Sequence, residues 1–189
     1  LDQVVAGNDN VRIEQLDVAE PDSVTAAAER ISAVAIDTVI VVAGVMGGGH
    51  QSIDDLDLDA WHQALSANTI GPILVARAFK QNLVASGGGY LIMLSSQVGA
   101  STWPFGGMYI YSTTKAAVGK AAKILSIDWK HDPIIVSVMH PGYVQTDMGG
   151  PNAEITPEES ASGIRNVIAS LSPEDSGNFY KWNGDIHPW

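Results

Sequence analysis

The sequence predicts an α/β protein built on a doubly wound parallel sheet. Its short apolar runs are rich in β-branched residues, as in strands that are buried on both faces. Segments with helical periodicity separate these runs, and that alternation is typical of a parallel sheet with helices on both sides. A chain of 189 residues is long enough for a substantial core, so we expect a single domain over residues 1–189.

The predicted elements follow one another regularly along the chain. Strands are expected at residues 11–18, 37–43, 90–95, 134–139 and 178–182. Helices are expected at residues 22–34, after Pro21, and at 58–84 and 109–130. The second of these should bend near Gly71-Pro72, because proline cannot donate a helical hydrogen bond. A further helix should begin at Thr156, with proline at its first position and glutamate at its third.

Composition excludes several classes of function. The formal net charge of −11 disfavours nucleic acid and anionic membranes as partners, which leaves a small molecule as the expected ligand. No apolar stretch approaches the roughly 20 residues that cross a bilayer. No basic leader precedes an apolar segment, so we expect a cytoplasmic protein without a signal peptide. Cysteine is absent, and the five histidines are too scattered for a metal site with aspartate or glutamate.

Tyr111 and Lys115 form the clearest chemical pair in the sequence. They are four residues apart on a predicted helix, and this spacing places both side chains on one face. A phenol with a reference pKa of about 10 is a poor acid at neutral pH, and a nearby ammonium lowers that pKa. The pair is therefore suited to donate a proton to a carbonyl that becomes an alcohol. By itself, however, this spacing is a weak signal, because most such pairs lie on ordinary surface helices.

Two serines, Ser95 and Ser96, end the strand that is predicted at residues 90–95. Ligands of parallel sheets bind at the carboxyl ends of the strands. A serine hydroxyl at that position can donate a hydrogen bond to a developing oxyanion. Capping a turn or a helix is the alternative role for a serine at a strand end.

Several motifs, in the same order along the chain, resemble the short-chain dehydrogenase/reductase family. They are LIMLSSQVGA at residues 91–100, GGMYIYSTTKAAVGKAAKILSIDW at 106–129 and IIVSVMHPGYVQTDMGG at 134–150. The resemblance extends over essentially the whole chain and is strongest to the carbonyl-reductase branch, with its C-signal-like and sniffer-like members. It implies a Rossmann-like fold and an NAD(P)-dependent oxidoreductase that interconverts a carbonyl and an alcohol.

The resemblance gives catalytic roles to four residues. Tyr111 matches the general acid/base of the family, and Lys115 matches the lysine that tunes it and binds the nicotinamide ribose. Ser96 matches the serine that orients the substrate, with Ser95 as the less favoured substitute. Asn68 matches the helix asparagine that supports a proton-relay water. The alternative role of Asn68 is to satisfy backbone groups at a helix irregularity.

The resemblance also implies an NADP or NAD cofactor and the residues that contact it. Asp17, followed by Val18, resembles the aspartate beside the adenine, although a cap for the next helix is an equal alternative. Where the family has Asn-Asn-Ala-Gly, this chain has Val41-Val42-Ala43-Gly44, which keeps the small residues that let a cofactor approach the backbone. The implied cofactor-binding residues are Asp17, Val18, Ala43, Gly44, Tyr111, Lys115, Pro141, Gly142 and Thr146.

The resemblance begins just before the third strand of the family. The first two strands, with the glycine-rich turn TGxxxGxG that binds the pyrophosphate, have no counterpart in the sequence. We therefore expect an N-terminally incomplete sheet, in which segment 11–18 lacks a ladder partner and strand 37–43 is an apolar edge. Either the missing elements precede Leu1 in the protein, or a partner or rearranged segment covers the gap. An intact mass near 19.9 kDa would contradict the first.

Two further interpretations of the function keep the same fold. Without the glycine-rich turn, the chain could be a cofactor-free lyase, isomerase or dehydratase that reuses the tyrosine and lysine, or a binding relative without catalysis. Titration with NADH and NADPH distinguishes these from a reductase.

Helices 58–84 and 109–130 resemble the pair that forms a four-helix dimer interface in many family members, which implies a homodimer. Residues that could line an apolar substrate pocket are Trp103, Pro104, Phe105 and Met108.

Overall fold

A four-stranded parallel sheet is the centre of the computed structural model, which describes residue 8 and residues 10–189. The strands in chain order are β1 (Thr38–Val41), β2 (Gln51–Ser52), β3 (Asp55–Leu56), β4 (Gly89–Leu94), β5 (Ile134–His140) and β6 (Phe179–Lys181). The sheet has the order β1-β4-β5-β6 with every pair parallel, and β2 and β3 form a separate antiparallel hairpin. The predicted parallel sheet is confirmed, whereas the hairpin was not predicted.

Helices cover both faces of this sheet, as the doubly wound prediction requires. In the described part of the chain the α-helices are α1 (Pro21–Arg30), α2 (Leu58–Leu65), α3 (Gly71–Ala85), α4 (Tyr109–Asp128) and α5 (Pro157–Ser170). Helices α1, α3 and α4 share a core with Leu91 and Val136 on one face, and α5 packs on Ile92 and Met139 on the other. None of the described helices has the length and hydropathy of a membrane span.

Residues 11–18 do not form the predicted strand. The structure places no strand beside this segment among the residues that it describes, so the backbone has no ladder to join. Side chains hold it instead, since Arg30 pairs with Glu14 and donates a hydrogen bond to the Gln15 carbonyl at 2.8 Å. A strand-like sequence pattern is insufficient here because an isolated strand leaves its backbone groups unpaired.

Helix α1 ends at Arg30, earlier than the predicted end at residue 34. The side chain of Asn82, on α3, donates hydrogen bonds to the carbonyls of Ile31 at 2.9 Å and Val34 at 2.8 Å. Asn82 is itself buried. These bonds hold the chain in a turn that leaves the helix, and they depend on a residue too distant in sequence for local propensity to reveal.

Strand β1 is an edge strand in the described part of the chain, as predicted. Among the described strands it pairs with β4 alone, and its Val41 side chain is buried in the core. The prediction that both of its faces are buried is wrong, because Ile40 is 43% exposed and the following Val42 is 65% exposed. Helix α5 lies over the neighbouring strands instead of over β1.

The long helix predicted at residues 58–84 is divided by a π-helical turn, Ser66–Ile70, between α2 and α3. Pro72 has no N–H, so it cannot donate to the Asn68 carbonyl four residues earlier. The N–H of Gly71 instead bonds the Ser66 carbonyl, five residues back. A Cβ at Gly71 would lie 2.6 Å from the Val18 carbonyl oxygen, so only glycine fits. The helix is therefore irregular just before Gly71-Pro72, where the bend was predicted; the bend of its axis stays a prediction.

The predicted start of α5 is also confirmed. The Thr156 hydroxyl accepts a hydrogen bond from the Glu159 N–H at 3.2 Å, and the Glu159 carboxylate accepts one from the Thr156 N–H at 2.8 Å. This reciprocal capping box satisfies N–H groups that would otherwise lack acceptors. It fixes the point at which the chain leaves the loop after β5 and enters the helix.

Candidate active site

Ser96, Tyr111 and Lys115 lie together at the carboxyl end of the sheet. Ser96 follows β4, and Tyr111 and Lys115 lie in the first two turns of α4. All three line one cavity of about 1050 Å³. The Lys115 Nζ atom lies 5.7 Å from the centroid of the Tyr111 ring. The structure thus brings together three of the four residues that resemblance marks as catalytic around one space that can hold a ligand.

The two serines after β4 do different things. Ser95 is buried, and its hydroxyl donates a hydrogen bond to the Lys115 carbonyl at 2.7 Å, which ties α4 to the sheet. Ser96 begins the 3₁₀ turn Gln97–Gly99, where its hydroxyl accepts a long bond of 3.4 Å from the Val98 N–H. The Ser96 hydroxyl also faces the Tyr111 phenol closely enough to affect its pKa. Ser96 therefore caps a turn and still presents its hydroxyl to the phenol.

Lys115 is almost fully buried beneath the cavity. Its Nζ donates a hydrogen bond to the Leu94 carbonyl at 3.0 Å, and within residues 10–189 this is the single hydrogen bond that the ammonium makes. Burial lowers the pKa of Lys115 to about 8. An ammonium has three N–H donors, so two remain for a ligand in the cavity.

Burial raises the pKa of Tyr111 above its ordinary value, and hydrogen bonding to Ser96 opposes this rise. The expectation of a lowered phenol pKa is therefore wrong for the protein alone. The sequence shows the spacing of the two side chains but not how deeply the phenol is buried, and burial penalises the phenolate more than the neighbours stabilise it.

Asn68 is fully buried in the π-helical turn and faces the loop after β1. Its Oδ1 accepts a hydrogen bond from the Val45 N–H at 2.7 Å, and its Nδ2 donates to the Val45 carbonyl at 2.8 Å. Nδ2 also donates to the Thr114 hydroxyl at 3.0 Å. Asn68 thus satisfies backbone groups, as the alternative interpretation expected, but those of a distant loop. Its role in a proton relay stays a prediction.

Gly44, Pro141, Gly142 and Thr146 line the same cavity, whereas Ala43 lies exposed beside it. A Cβ at Gly44 would lie 3.1 Å from the Asn68 Oδ1 and 3.2 Å from the Lys115 Nζ, so glycine keeps this wall open. Gly142 has a φ of 91°, and a Cβ there would lie 2.5 Å from the Ile155 Cδ1. At both glycines the backbone, without a side chain, forms the wall of the cavity.

Asp17 and Val18 are not among the residues that line the cavity. The Asp17 carboxylate accepts a hydrogen bond from the Ala19 N–H at 2.9 Å, and its own N–H donates to the Ser23 hydroxyl. Val18 is buried against Gly71. Asp17 thus closes the turn before α1, but the N-cap of that helix is Glu20 and makes no side-chain capping bond, so the alternative role of Asp17 as a helix cap is wrong. The contact of these two residues with an adenine stays a prediction.

A comparison of the sequence with family models decides the family. The model described as short chain dehydrogenase matches residues 1–156. The chain belongs to this family. It is accordingly an enzyme of the oxidoreductase class, and the predicted resemblance to the carbonyl-reductase branch is confirmed by the similar proteins that follow.

This short-chain dehydrogenase has curated relatives at about one-third identity. It is 33% identical to C-signal of Myxococcus xanthus over 155 residues, which cover 82% of this chain and 93% of the relative. It is 34% identical to 1-hydroxy-2-glutathionyl-2-methyl-3-butene dehydrogenase of Rhodococcus sp. (strain AD45) over 181 residues, which cover 92% of this chain and 78% of the relative.

Solved structures of carbonyl reductases share the fold of this short-chain dehydrogenase. The carbonyl reductase Sniffer of D. melanogaster has a TM-score of 0.93 and 26% identity, with coverage of 100% of this chain and 82% of the other. The NADPH-bound carbonyl reductase from chicken fatty liver has a TM-score of 0.89 and 28% identity, with coverage of 100% and 81%.

The cavity of this short-chain dehydrogenase has a largely apolar wall. Of the four predicted pocket residues, Trp103 and Met108 line it, whereas Pro104 and the exposed Phe105 do not. Tyr143 and Met148 also line the cavity, and sequence reasoning missed them although they flank the predicted cofactor residues. No group of three or more His, Cys, Asp or Glu side chains suited to a metal occurs in the described part of the chain.

Gln51 is a second residue that sequence reasoning missed. Its side chain accepts a hydrogen bond from the backbone N–H of Tyr111 at 3.1 Å, across 60 positions of sequence. The sequence offers one indirect indication of this contact, which is the lack of a capping residue before α4. Met108 occupies the N-cap position, where Ser, Thr, Asp or Asn is ordinarily found. The lack of a local cap indicates that another part of the chain supplies a hydrogen-bond acceptor to the first N–H groups of α4.

Proposed function

We propose that this enzyme is an NAD(P)-dependent reductase that converts a small-molecule carbonyl to an alcohol, with Tyr111 as the proton donor. The observation that carries the proposal is the convergence of Ser96, Tyr111 and Lys115 on one cavity at the carboxyl end of the sheet. A binding relative would not need a phenol, a hydroxyl and a buried ammonium around the same space. The reverse oxidation uses the same residues with the proton moving the other way.

The residues present fit the nicotinamide end of NADP or NAD. Lys115 has two N–H donors left for the ribose hydroxyls, and Gly44 leaves room beside them. Pro141, Gly142 and Thr146 supply backbone and hydroxyl groups for the carboxamide. When bound, the nicotinamide supplies the hydride that reduces the carbonyl carbon. The NADPH held by the similar chicken carbonyl reductase supports the same cofactor class here.

At neutral pH, Tyr111 is in the protonated state that carbonyl reduction requires. Because burial raises its pKa, the phenol stays protonated and can give its proton to the carbonyl oxygen. The phenolate that remains needs a positive neighbour. Lys115 provides it, since a pKa of about 8 keeps most of the ammonium charged at pH 7. Lys115 therefore reduces the cost of forming the phenolate, although burial keeps the net pKa of the phenol above its ordinary value.

Ser96 and Asn68 support this transfer in different ways. The Ser96 hydroxyl faces the phenol, so a carbonyl oxygen between them can accept hydrogen bonds from both. Asn68 fixes the wall of the cavity through Val45 and adjoins the first turns of α4 through Thr114. In this proposal it also supports the water that returns a proton to Tyr111.

The proposed substrate is a carbonyl compound with an apolar substituent. Trp103, Met108, Tyr143 and Met148 give the cavity aromatic and thioether walls, and no acidic side chain of residues 10–189 lines it. Such walls favour ligands that exchange water for apolar contact. A charged carbonyl compound would find few partners beyond Lys115 and Arg165.

Titration of the full chain with NADPH and NADH, read by nicotinamide fluorescence, tests the proposal. Saturable binding followed by cofactor-dependent reduction of an aromatic aldehyde or ketone is the expected result. Binding of neither cofactor would contradict the proposal and favour a cofactor-free lyase, isomerase or dehydratase on the same fold. Binding without turnover over a panel of carbonyl compounds would favour a binding relative.

A further inference from the structure

The helix that carries Tyr111 begins without a cap of its own. The residue before it, Met108, has a left-handed backbone with a φ of 53° and makes no side-chain capping bond. The first N–H groups of any helix lack an intrahelical acceptor. In α4 the Ser112 N–H bonds the Met108 carbonyl at 2.8 Å, so the N–H of Tyr111 lies just before the regular helical pattern. An acceptor from elsewhere must satisfy it.

Gln51 supplies that acceptor and uses its whole amide to do so. Its Oε1 accepts from the Tyr111 N–H at 3.1 Å, while its Nε2 donates to the carbonyls of Met46 at 2.9 Å and Gly48 at 3.0 Å. These partners fix the orientation of the amide. If it were flipped, its oxygen would face two carbonyl oxygens and its NH₂ group would face the Tyr111 N–H, and none of these pairs can form a hydrogen bond. The side chain therefore joins the loop after β1 to the first turn of α4.

Close packing reinforces this connection. Gly47 lies between the two carbonyls that Gln51 binds, with a φ of 86°, and a Cβ there would collide with the Cγ2 of Ile110. Ile110 is fully buried in the first turn of α4, next to Tyr111. The loop 46–48 thus contacts the helix start directly, and Gln51 locks the two together with polar bonds.

Both backbone polar groups of Tyr111 are bonded to side chains. Gln51 holds its N–H, and the Thr114 hydroxyl donates to its carbonyl at 3.0 Å. Thr114 in turn accepts from Asn68, which clamps Val45 in the same loop after β1. The residue that carries the phenol is therefore fixed from two sides against the loop that also forms the Gly44 wall of the cavity.

We infer that Gln51 is a positioning residue for proton transfer: it fixes the first turn of α4 against loop 46–48 and so sets where the Tyr111 hydroxyl stands relative to Ser96. The inference rests on the proposed function, because it concerns the efficiency of that step. A proton donor that moves by about 1 Å can cost on the order of a hundredfold in rate. Cofactor binding is served by other residues, so it should not change.

Gln51→Ala is the direct test, with Gln63→Ala as the control because Gln63 is an exposed glutamine on the nearby helix α2. In Gln51→Ala we expect kcat to fall by about tenfold to a hundredfold, with the Kd for NADPH and the substrate KM nearly unchanged. Hydrogen exchange at the amide of Tyr111 should accelerate, while exchange in the second half of α4 should not. Gln63→Ala should match the unsubstituted chain in every measurement.

Gln51→Glu separates positioning from simple stabilisation. The carboxylate keeps an acceptor for the Tyr111 N–H but loses both donors to the Met46 and Gly48 carbonyls. The contact with the start of α4 is thereby kept, while the contact with loop 46–48 is broken. The kcat of Gln51→Glu should therefore fall about as far as that of Gln51→Ala, with the Kd for NADPH nearly unchanged. A role in capping α4 alone would leave kcat close to that of the unsubstituted chain.

Three results would overturn the inference. The first is a kcat for Gln51→Ala within twofold of the unsubstituted chain, and the second is unchanged exchange at the Tyr111 amide. The third is faster exchange throughout the sheet and α4, which would mean that Gln51 serves global stability only. Absence of turnover in the unsubstituted chain would instead overturn the proposed function, and with it the catalytic meaning of the Gln51 contact.

Discussion

Asn68 binds both backbone polar groups of Val45, accepting from its N–H at 2.7 Å and donating to its carbonyl at 2.8 Å. This pairing joins the π-helical turn between α2 and α3 to the loop that leaves β1. The family has asparagines before Ala-Gly at this point, whereas this chain has Val41 and Val42. Here the loop is braced from the helix side, which keeps Gly44 beside Lys115.

Gly44→Ala should weaken cofactor binding. The added Cβ would lie 3.1 Å from the Asn68 Oδ1 and 3.2 Å from the Lys115 Nζ, so the loop or the ammonium must shift. We expect the Kd for NADPH to rise about tenfold, which corresponds to about 1.4 kcal/mol. Gly49→Ala is the matched control, since a Cβ there meets nothing within 4 Å. Equal Kd values for the two variants would show that Gly44 does not border the cofactor.

His140 should make the fold sensitive to acid. It is buried, its Nδ1 has no hydrogen-bond partner in the described part of the chain, and burial, with His187 and Lys181 nearby, lowers its pKa from 6.5 to about 4. Between pH 6.5 and 4, His140 is protonated in the unfolded chain but neutral in the native state. Stability therefore falls with falling pH over this range, by an amount on the order of 3 kcal/mol.

Urea unfolding at several pH values measures this effect. The free energy of unfolding of His140→Gln should depend less on pH between 4 and 6.5 than that of the unsubstituted chain. His131→Gln, which replaces an exposed histidine, should keep the original dependence. Parallel pH curves for all three proteins would refute the assignment to His140. The comparison uses the slopes, so a constant loss of stability in either variant does not affect it.

The helices next to the site should form a homodimer interface. Ile70, which ends the π-helical turn, is 50% exposed, and Ile73, in the first turn of α3, is 36% exposed. Ile124 and Ile127, near the end of α4, are 47% and 57% exposed. Sedimentation equilibrium should give a dimer for the unsubstituted chain and a monomer for Ile124→Glu/Ile127→Glu. Ile186→Glu, at an exposed isoleucine outside these helices, should remain dimeric. A monomeric unsubstituted chain would contradict this interface.

Most of the secondary structure could be predicted because its signals are local. Helix α5 followed from Thr156 and Glu159, and β4 and β5 followed from continuous apolar runs. The segment 11–18 has an equally strand-like pattern but no partner strand in the described structure, and pairing is a property of the whole sheet. Likewise, α1 ends early because of Asn82, which is distant in sequence.

The candidate site was predictable in its residues and less so in its physical chemistry. Spacing and resemblance placed Tyr111, Lys115 and Ser96 together, and the structure groups them around one cavity. The direction of the Tyr111 pKa shift depended on burial, which spacing does not reveal. Gln51 was missed because its contact with α4 spans 60 residues and belongs to no motif.

The most direct test of the account is the turnover of Tyr111→Phe with NADPH and an aromatic carbonyl compound. Phenylalanine keeps the ring and removes only the hydroxyl, so the variant should fold normally and bind NADPH with a Kd close to that of the unsubstituted chain. We predict that kcat falls by at least about a hundredfold, because proton donation by a positioned acid contributes on that scale. A Tyr111→Phe variant that reduces the carbonyl at the original rate would contradict the central claim.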